Sequence, residues 1–359
     1  MISEKSFSIE WIEKISKDFK VRNLNIPEKA IKALYLLEKL CESKLKFTFK
    51  GGTALTILFN EEKRFSTDID IITLEEKEIF EKTLEEFVFK KYFKKFETDK
   101  REIKSKIKKT HYRFFYDSVI SGDEQNVLLD IVFCELAGVE TKNVEIKSKF
   151  IIVEKPTYVN TLSKDSLLGD KLTTLAISTI GIPIENDLSI AKQIYDIDRL
   201  FEEISNLKNV KKAFEKICKI QCDFRGKNVS IESILNEIIE IAIVYGKGFY
   251  QLKLNTDEEI IFKCINSGLE KLQSNLIPSI EGKVSKNSFL KALSKIAYLC
   301  SVFKTKELIN FSMYNLKIEL ENLQFYEHKN SFNKLKNLDK ETHYYFISTI
   351  KYAGLDRDV

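Results

Sequence analysis

Gly51-Gly52-Thr53 follows the apolar stretch Phe47-Thr48-Phe49, and sixteen residues beyond Gly52 stands Asp68-Ile69-Asp70. Residues of these types at this spacing suit the handling of a triphosphate beside a metal ion. Glycine has no Cβ and tolerates positive φ, so a glycine pair lets backbone N–H groups approach phosphate oxygens. A helix beginning at Thr53 would aim its unpaired N–H donors and the positive end of its dipole at the same oxygens. On a strand, residues i and i+2 share a face, so Asp68 and Asp70 project together. Two converging carboxylates suit Mg²⁺ or Mn²⁺, hard ions that complete their coordination with substrate phosphates and water. A third acid, Asp130, interrupts the apolar strand Val127-Leu128-Leu129-Asp130-Ile131-Val132-Phe133. A carboxylate there would be costly without a metal or a hydrogen-bond partner. Each motif alone is common in turns and solvated strand ends; the order strand, Gly-Gly, helix, Asp-x-Asp strand, Asp strand is what specifies the chemistry.

The elements that position these residues carry a family resemblance. Gly51-Gly52-Thr53-Ala54-Leu55 through Arg64-Phe65-Ser66-Thr67-Asp68-Ile69-Asp70 resembles the first motif of the AbiEii/AbiGii family of nucleotidyltransferase-like toxins, a branch of the polymerase-beta-like superfamily. The superfamily's usual gap between glycines and acids is shorter, and Arg64 and Ser66 ahead of the acids point to this branch. Asp170-Lys171-Leu172 with Ala176 resembles the family's lysine-bearing helix. Lys192-Gln193-Ile194-Tyr195-Asp196-Ile197 resembles its Lys-Asp-x-x-Asp-Leu motif, with Gln193 departing from the first acid and Asp196 matching the last. The resemblance covers about residues 45 to 200.

The resemblance implies an α+β fold: a polymerase-beta-like nucleotidyltransferase domain with a mixed sheet, followed by a helical C-terminal domain. It implies metal-dependent transfer of a nucleotide from an NTP to an acceptor. Asp68 and Asp70 would hold the metal, with Asp130 helping, while Gly51, Gly52 and Thr53 position the phosphates. Arg64 and Ser66 would contact phosphate or brace the Asp-bearing strand. Lys171 would offset the triphosphate charge as a compact cation. Asp196 would orient Lys171, contact the nucleotide, or pair with Arg199 at i+3. The resemblance further implies a toxin encoded beside an antitoxin, serving abortive infection and phage defence or plasmid and genome maintenance. The residues leave two other readings open: an enzyme that modifies a protein or small molecule, and a non-catalytic module that binds nucleotide or a partner.

The surrounding pattern gives a mixed first half and a helical second half, with expected domains at 1–165 and 166–359. Pro27 to Ser43 reads as a helix, with Ala30, Ile31, Leu34, Leu37 and Leu40 on one stripe. An acidic-then-basic helix is expected from Glu75 to Phe96. Strands are expected at His111–Asp117 and Val127–Phe133 around the turn Ser121-Gly122-Asp123-Glu124, and another near Phe150 to Val153. From Asp165 onward the period is helical, and Ile234–Tyr245 and Phe289–Phe303 read as core helices.

Composition fits a folded enzyme: 359 residues, 43% hydrophobic and 31% charged, with 4 prolines and 12 glycines, leave no room for long linkers. No apolar run reaches the ~18 residues of a membrane helix and the N-terminus lacks a signal core, so a cytoplasmic location is expected. The six cysteines form no Cys-x-x-Cys pair and read as reduced, mostly buried thiols. Three histidines without a spaced cluster disfavour a zinc site or a histidine-based hydrolase. Net charge is only +4, yet Lys90 to Arg113 holds eleven Lys and Arg against three acids. Such a stretch would attract an RNA backbone, with Tyr92, His111 and Tyr112 available to stack on bases, and the 3′ end of tRNA is the expected acceptor.

Overall fold

A computed structural model of the chain describes residues 1–59, 63–88, 93–99, 107–278, 283–305, 308, 311–315 and 339–353. The chain divides into two compact units, Met1–Leu167 with Asn275–Lys283, and Leu168–Ser274 with Val284–Val359.

The first unit opens with helices α1 (Ile9–Asp18) and α2 (Asn25–Glu42). Then follow β1 (Phe47–Lys50), α3 (Gly51–Phe59), β2 (Asp68–Thr73), α4 (Lys77–Val88), β3 (Lys95–Asp99), β4 (Lys108–Asp117), β5 (Glu124–Phe133), β6 (Thr141–Glu145) and β7 (Tyr158–Leu162). The seven strands form one mixed sheet in the order β3-β4-β5-β2-β1-β7-β6. β2 runs parallel to β5 and β1 parallel to β7, while the other neighbours are antiparallel. Strand alternation decides which residues enter the core. Ile69 and Ile71 of β2 and Val127, Leu129 and Ile131 of β5 are fully buried, which turns Asp68, Asp70 and Asp130 to the opposite face. Each buried Ile or Leu contributes about 1.5–3 kcal/mol, so this assignment of faces is strongly held. α2 packs on β2 and β5 and buries its expected stripe Ala30, Ile31, Leu34, Leu37 and Leu40.

Several boundaries differ from the sequence expectation. The helix expected from Glu75 to Phe96 is α4, ending at Val88, and Lys95 and Phe96 belong to β3. Phe96 there stacks on Phe114 at 5.5 Å and meets Tyr112 edge-on at 5.8 Å, contacts that an extended chain beside β4 provides. No strand spans Phe150 to Val153; only an isolated bridge joins Val153 to Ile2, and Phe150 is buried from a loop. The strands of that region are β6 and β7 instead. α3 starts at Gly51 rather than Thr53.

The division between the units falls within α5 (Lys164–Thr173). The second unit is helical: α6 (Asp187–Phe201), α7 (Leu207–Arg225), α8 (Ile231–Phe249), α9 (Thr256–Leu272), α10 (Lys286–Lys304) and α11 (Lys340–Ala353). Their ends are written in the sequence. Ser230 caps α8, and Asn255 and Ser285 form capping boxes with Glu258 and Ser288. Gly226 closes α7 in the left-handed region at φ 62°. Ile234–Tyr245 and Phe289–Phe303 lie within the buried helices α8 and α10, as their apolar content requires. Lys295 of α10, 6% exposed at its side chain, joins Asp198 on α6 at 2.8 Å and Glu202, which caps the end of α6, at 2.6 Å. Cys218 and Cys300 are buried free thiols, whereas Cys41, Cys134, Cys222 and Cys264 are half-buried, so fewer cysteines are core residues than expected. Among the described residues no helix is long and apolar enough to cross a membrane.

Candidate active site

The Gly-Gly turn and the acids meet at one end of β1 and β2. Lys50, the last residue of β1, lies directly opposite Asp70, and Gly51 turns the chain from that strand into α3 at φ 82°. A side chain there would suffer the left-handed conformation, and its Cβ would overlap Oδ2 of Asp70. A Cβ on Gly52 would lie 2.7 Å from both Nη2 of Arg64 and Oγ of Ser66. The two glycines are therefore what allows the acid, the guanidinium and the hydroxyl to crowd against the first turn of α3. In that turn the backbone N–H groups have no acceptor within the helix. Thr53 braces the arrangement: its hydroxyl, in a residue 2% exposed, donates to Asp68 O at 2.7 Å and lies 2.9 Å from Ser66 Oγ, whose hydroxyl can donate to it. Arg64, 7% exposed, donates from Nη1 to Phe65 O at 3.0 Å.

The acids are aligned by strand register. Asp70 on β2 is directly opposite Asp130 on β5, and Asp130 is directly opposite His111 on β4. Directly paired residues project to the same face, so Lys50, Asp70, Asp130 and His111 form one row across four neighbouring strands. His111 Nδ1 lies 2.5 Å from Asp130 Oδ1. Burial first, and then the neighbouring Asp130 carboxylate, push the Asp70 carboxyl up to about 6, against the pull of Lys50 and Lys109. Asp68, two residues earlier on the same face, adds to the repulsion. Lys50 did not stand out in the sequence, and Lys109 stood out only as one of the basic stretch. Register alone identifies the first, and position beside Asp70 the second.

This donor set fits a divalent cation. It consists of carboxylate oxygens, and the like-charge repulsion that lifts Asp70 is what a bound cation would relieve. Among the described residues no three His, Cys, Asp or Glu side chains converge closely enough to hold an ion alone. Phosphate oxygens and water would complete the shell of such a cation. A groove of about 450 Å³ lined by Phe47, Thr48, Thr73, Leu74, Cys134 and Asn160 lies at the opposite end of β1 and β2 and holds none of these residues.

Two expectations for the basic stretch are corrected. Tyr112 is fully buried, with its hydroxyl donating to Glu81 Oε1 at 2.8 Å, so it cannot stack on a base. His111 is engaged with Asp130. Lys94 and Lys95 are paired with Asp117, Glu97 and Glu124, while Lys108, Lys109 and Arg113 are exposed. Lys90, Lys91, Tyr92, Lys100, Arg101, Lys104 and Lys106 lie outside the described residues.

Lys171 and Asp196 belong to the second unit, where they form an ion pair of 2.9 Å with side chains 3% and 1% exposed. Lys171 Nζ also donates to Gln193 Oε1 at 2.9 Å. Gln193 thus accepts from the same ammonium, and its neutral amide keeps the hydrogen bond without a second negative charge. Gly169, which the sequence reading passed over, lets α5 and α7 touch: a Cβ there would lie 2.5 Å from Val210 O and 2.6 Å from Phe214 N.

The mixed sheet with a glycine turn, paired acids and a following helical region defines a nucleotidyltransferase-like α+β protein. The model of the nucleotidyl transferase AbiEii toxin family, type IV toxin–antitoxin system, matches residues 35–252, and the chain belongs to that family. No curated protein matches the chain. Similar solved structures include JHP933 from Helicobacter pylori, at 12% identity and TM-score 0.43, covering 84% of this chain and 93% of that one. An antigenic nucleotidyltransferase-like protein from Paracoccidioides brasiliensis is similar at 15% identity and TM-score 0.35, covering 55% of this chain and 89% of that one.

Proposed function

We propose that this nucleotidyltransferase uses Asp70 and Asp130, with Asp68, to hold a divalent cation, and transfers a nucleotide from an NTP to a hydroxyl on RNA. The observation that carries the reading is the row Asp70, Asp130 against the glycine turn, in which two carboxylates are forced together beside backbone N–H donors. The first turn of α3 binds phosphate oxygens through its N–H groups, and Arg64 and Ser66, crowded against Gly52, add charge and a hydroxyl. When bound, Mg²⁺ or Mn²⁺ would neutralise the triphosphate and stabilise charge at the α-phosphorus. The acceptor hydroxyl oxygen bonds to that phosphorus and gives its proton to water, the bond from the phosphorus to the bridging oxygen breaks, and pyrophosphate leaves. Roles for Lys171 and Asp196 in transfer rest on their motifs alone.

RNA is favoured as acceptor by the basic stretch, whose Lys109 is near enough to Asp70 to draw its carboxyl down. A tRNA 3′ end fits this charge, and the support is electrostatic because Tyr112 and His111 are otherwise engaged. The family description makes the protein the toxin of a toxin–antitoxin pair. We extend this to a cognate antitoxin as partner and a role in phage defence. The test is incubation with each α-labelled NTP, Mg²⁺ and total RNA. Label should enter RNA with the wild type and not with Asp70→Ala. Label entering protein instead would move the acceptor assignment, and incorporation by Asp70→Ala would remove the site.

A further inference from the structure

Reading Asp70 and Asp130 as cation ligands leaves one close contact without a role, the 2.5 Å approach of His111 Nδ1 to Asp130 Oδ1. At this distance a proton must lie between the two atoms. If Asp130 held it, the carboxyl would be neutral and poorly suited to a cation. If the ring holds it, Asp130 stays anionic, and the hydrogen bond occupies Oδ1 while leaving Oδ2 for coordination. The ring is well placed to act as a fixed donor. It sits on β4 between Thr110 and Tyr112, both turned into the core at 6% and 0% exposure, and Tyr112 is further tied to Glu81. Its own side chain is 20% exposed and that of Asp130 28%, so neither is held by burial alone. A carboxylate on a strand can rotate about its last torsion, and one strong hydrogen bond removes that freedom.

We propose that His111 is a positioning residue whose Nδ1–H holds Oδ1 of Asp130, so that Oδ2 faces the cation shared with Asp70. The inference rests on the proposed cation site. Hydrogen-bond partners of metal ligands typically contribute about 10–100-fold to metal affinity, and that is the effect expected here.

The test is Mn²⁺ binding to the full chain, followed by electron paramagnetic resonance at neutral pH without nucleotide. Wild type is compared with His111→Phe, which keeps a ring but has no donor, His111→Asn, which keeps a donor, and Asp130→Asn. Mn²⁺ binding about 10–100-fold weaker in His111→Phe, near wild type in His111→Asn and lost in Asp130→Asn supports the proposal. Wild-type binding by His111→Phe, with loss in Asp130→Asn, overturns the positioning role and leaves the cation site standing. Equal loss in His111→Phe and His111→Asn overturns it too, since the ring's packing and not its donor would then matter. Wild-type binding by Asp130→Asn overturns the cation site and the inference together. Nitrogen NMR of the unaltered chain, which has only three histidines to assign, tests the donor even if His111→Phe does not fold. Nδ1 should carry the proton with and without Mg²⁺, and an unprotonated Nδ1 overturns the proposal.

Discussion

Removing the ammonium of Lys171 should destabilise the helical unit far more than removing an exposed lysine would. Lys171→Met leaves the Asp196 carboxylate 1% exposed without the Lys171 ammonium. Breaking a buried pair by removing one partner costs about 3–5 kcal/mol, because the remaining charge stays buried. The second unit is of a size at which each kcal/mol moves Tm by roughly 2–4 °C, so the variant should melt roughly 6–20 °C lower. Adding Asp196→Asn removes that buried charge while keeping a side chain of the same shape that still accepts hydrogen bonds. Lys171→Met/Asp196→Asn should therefore recover more than half of the lost Tm. Thermal unfolding of wild type, both single variants and the double variant, followed by circular dichroism, measures the coupling. A loss below about 1 kcal/mol for Lys171→Met, or strictly additive single effects, would refute the reasoning. Any activity assay on Lys171 variants accordingly needs a measure of folding beside it.

Three further outcomes follow. Gly51→Ala should cost about 1–2 kcal/mol from the left-handed backbone alone and lower incorporation about 100-fold by displacing Asp70, read by melting and by label transfer; wild-type activity would contradict the crowding at this turn. The Asp70 carboxyl is raised to about 6, so between about pH 4 and 6 the folded chain binds more protons than the unfolded one, and metal-free stability falls as pH rises through that window. Asp70→Asn should abolish this slope and, above pH 6, stabilise the metal-free protein by roughly 2–3 kcal/mol, measured by denaturation in chelator. Lys108→Glu with Lys109→Glu should weaken RNA labelling and reduce the salt dependence of RNA binding by about one unit of log–log slope per lysine; unchanged labelling would count against the basic stretch as the RNA contact.

The facing of the acids was legible in the sequence because strand alternation leaves little choice. With Ile69, Ile71, Leu129 and Ile131 in the core, Asp68, Asp70 and Asp130 must face away. His111 was not legible as their neighbour, because its partner depends on the β4–β5 register, set at a turn where Ser118 N donates to Asp123 O. Gly169 could not be read either, since what it approaches is the backbone of a helix some forty residues on. β6 was missed because an edge strand of mostly exposed residues, Thr141-Lys142-Asn143-Val144-Glu145, carries no apolar alternation. The more apolar Phe150 and Ile151 drew the strand assignment, yet they are buried from a loop. Lys95 and Phe96 continue the charged pattern of α4, and only their contacts with β4 make them a strand.

The row that joins Asp70, Asp130 and His111 ties the alignment of the proposed cation site to correct folding. A one-residue slip of β5 would exchange Asp130 for Leu129 or Ile131 in that row, and would also turn Val127, Leu129 and Ile131 out of the core. Misregistered chains would therefore expose a hydrophobic face and be open to proteolysis, so they would not persist as stable, inert copies. The population that survives such surveillance is the one whose acids are already aligned.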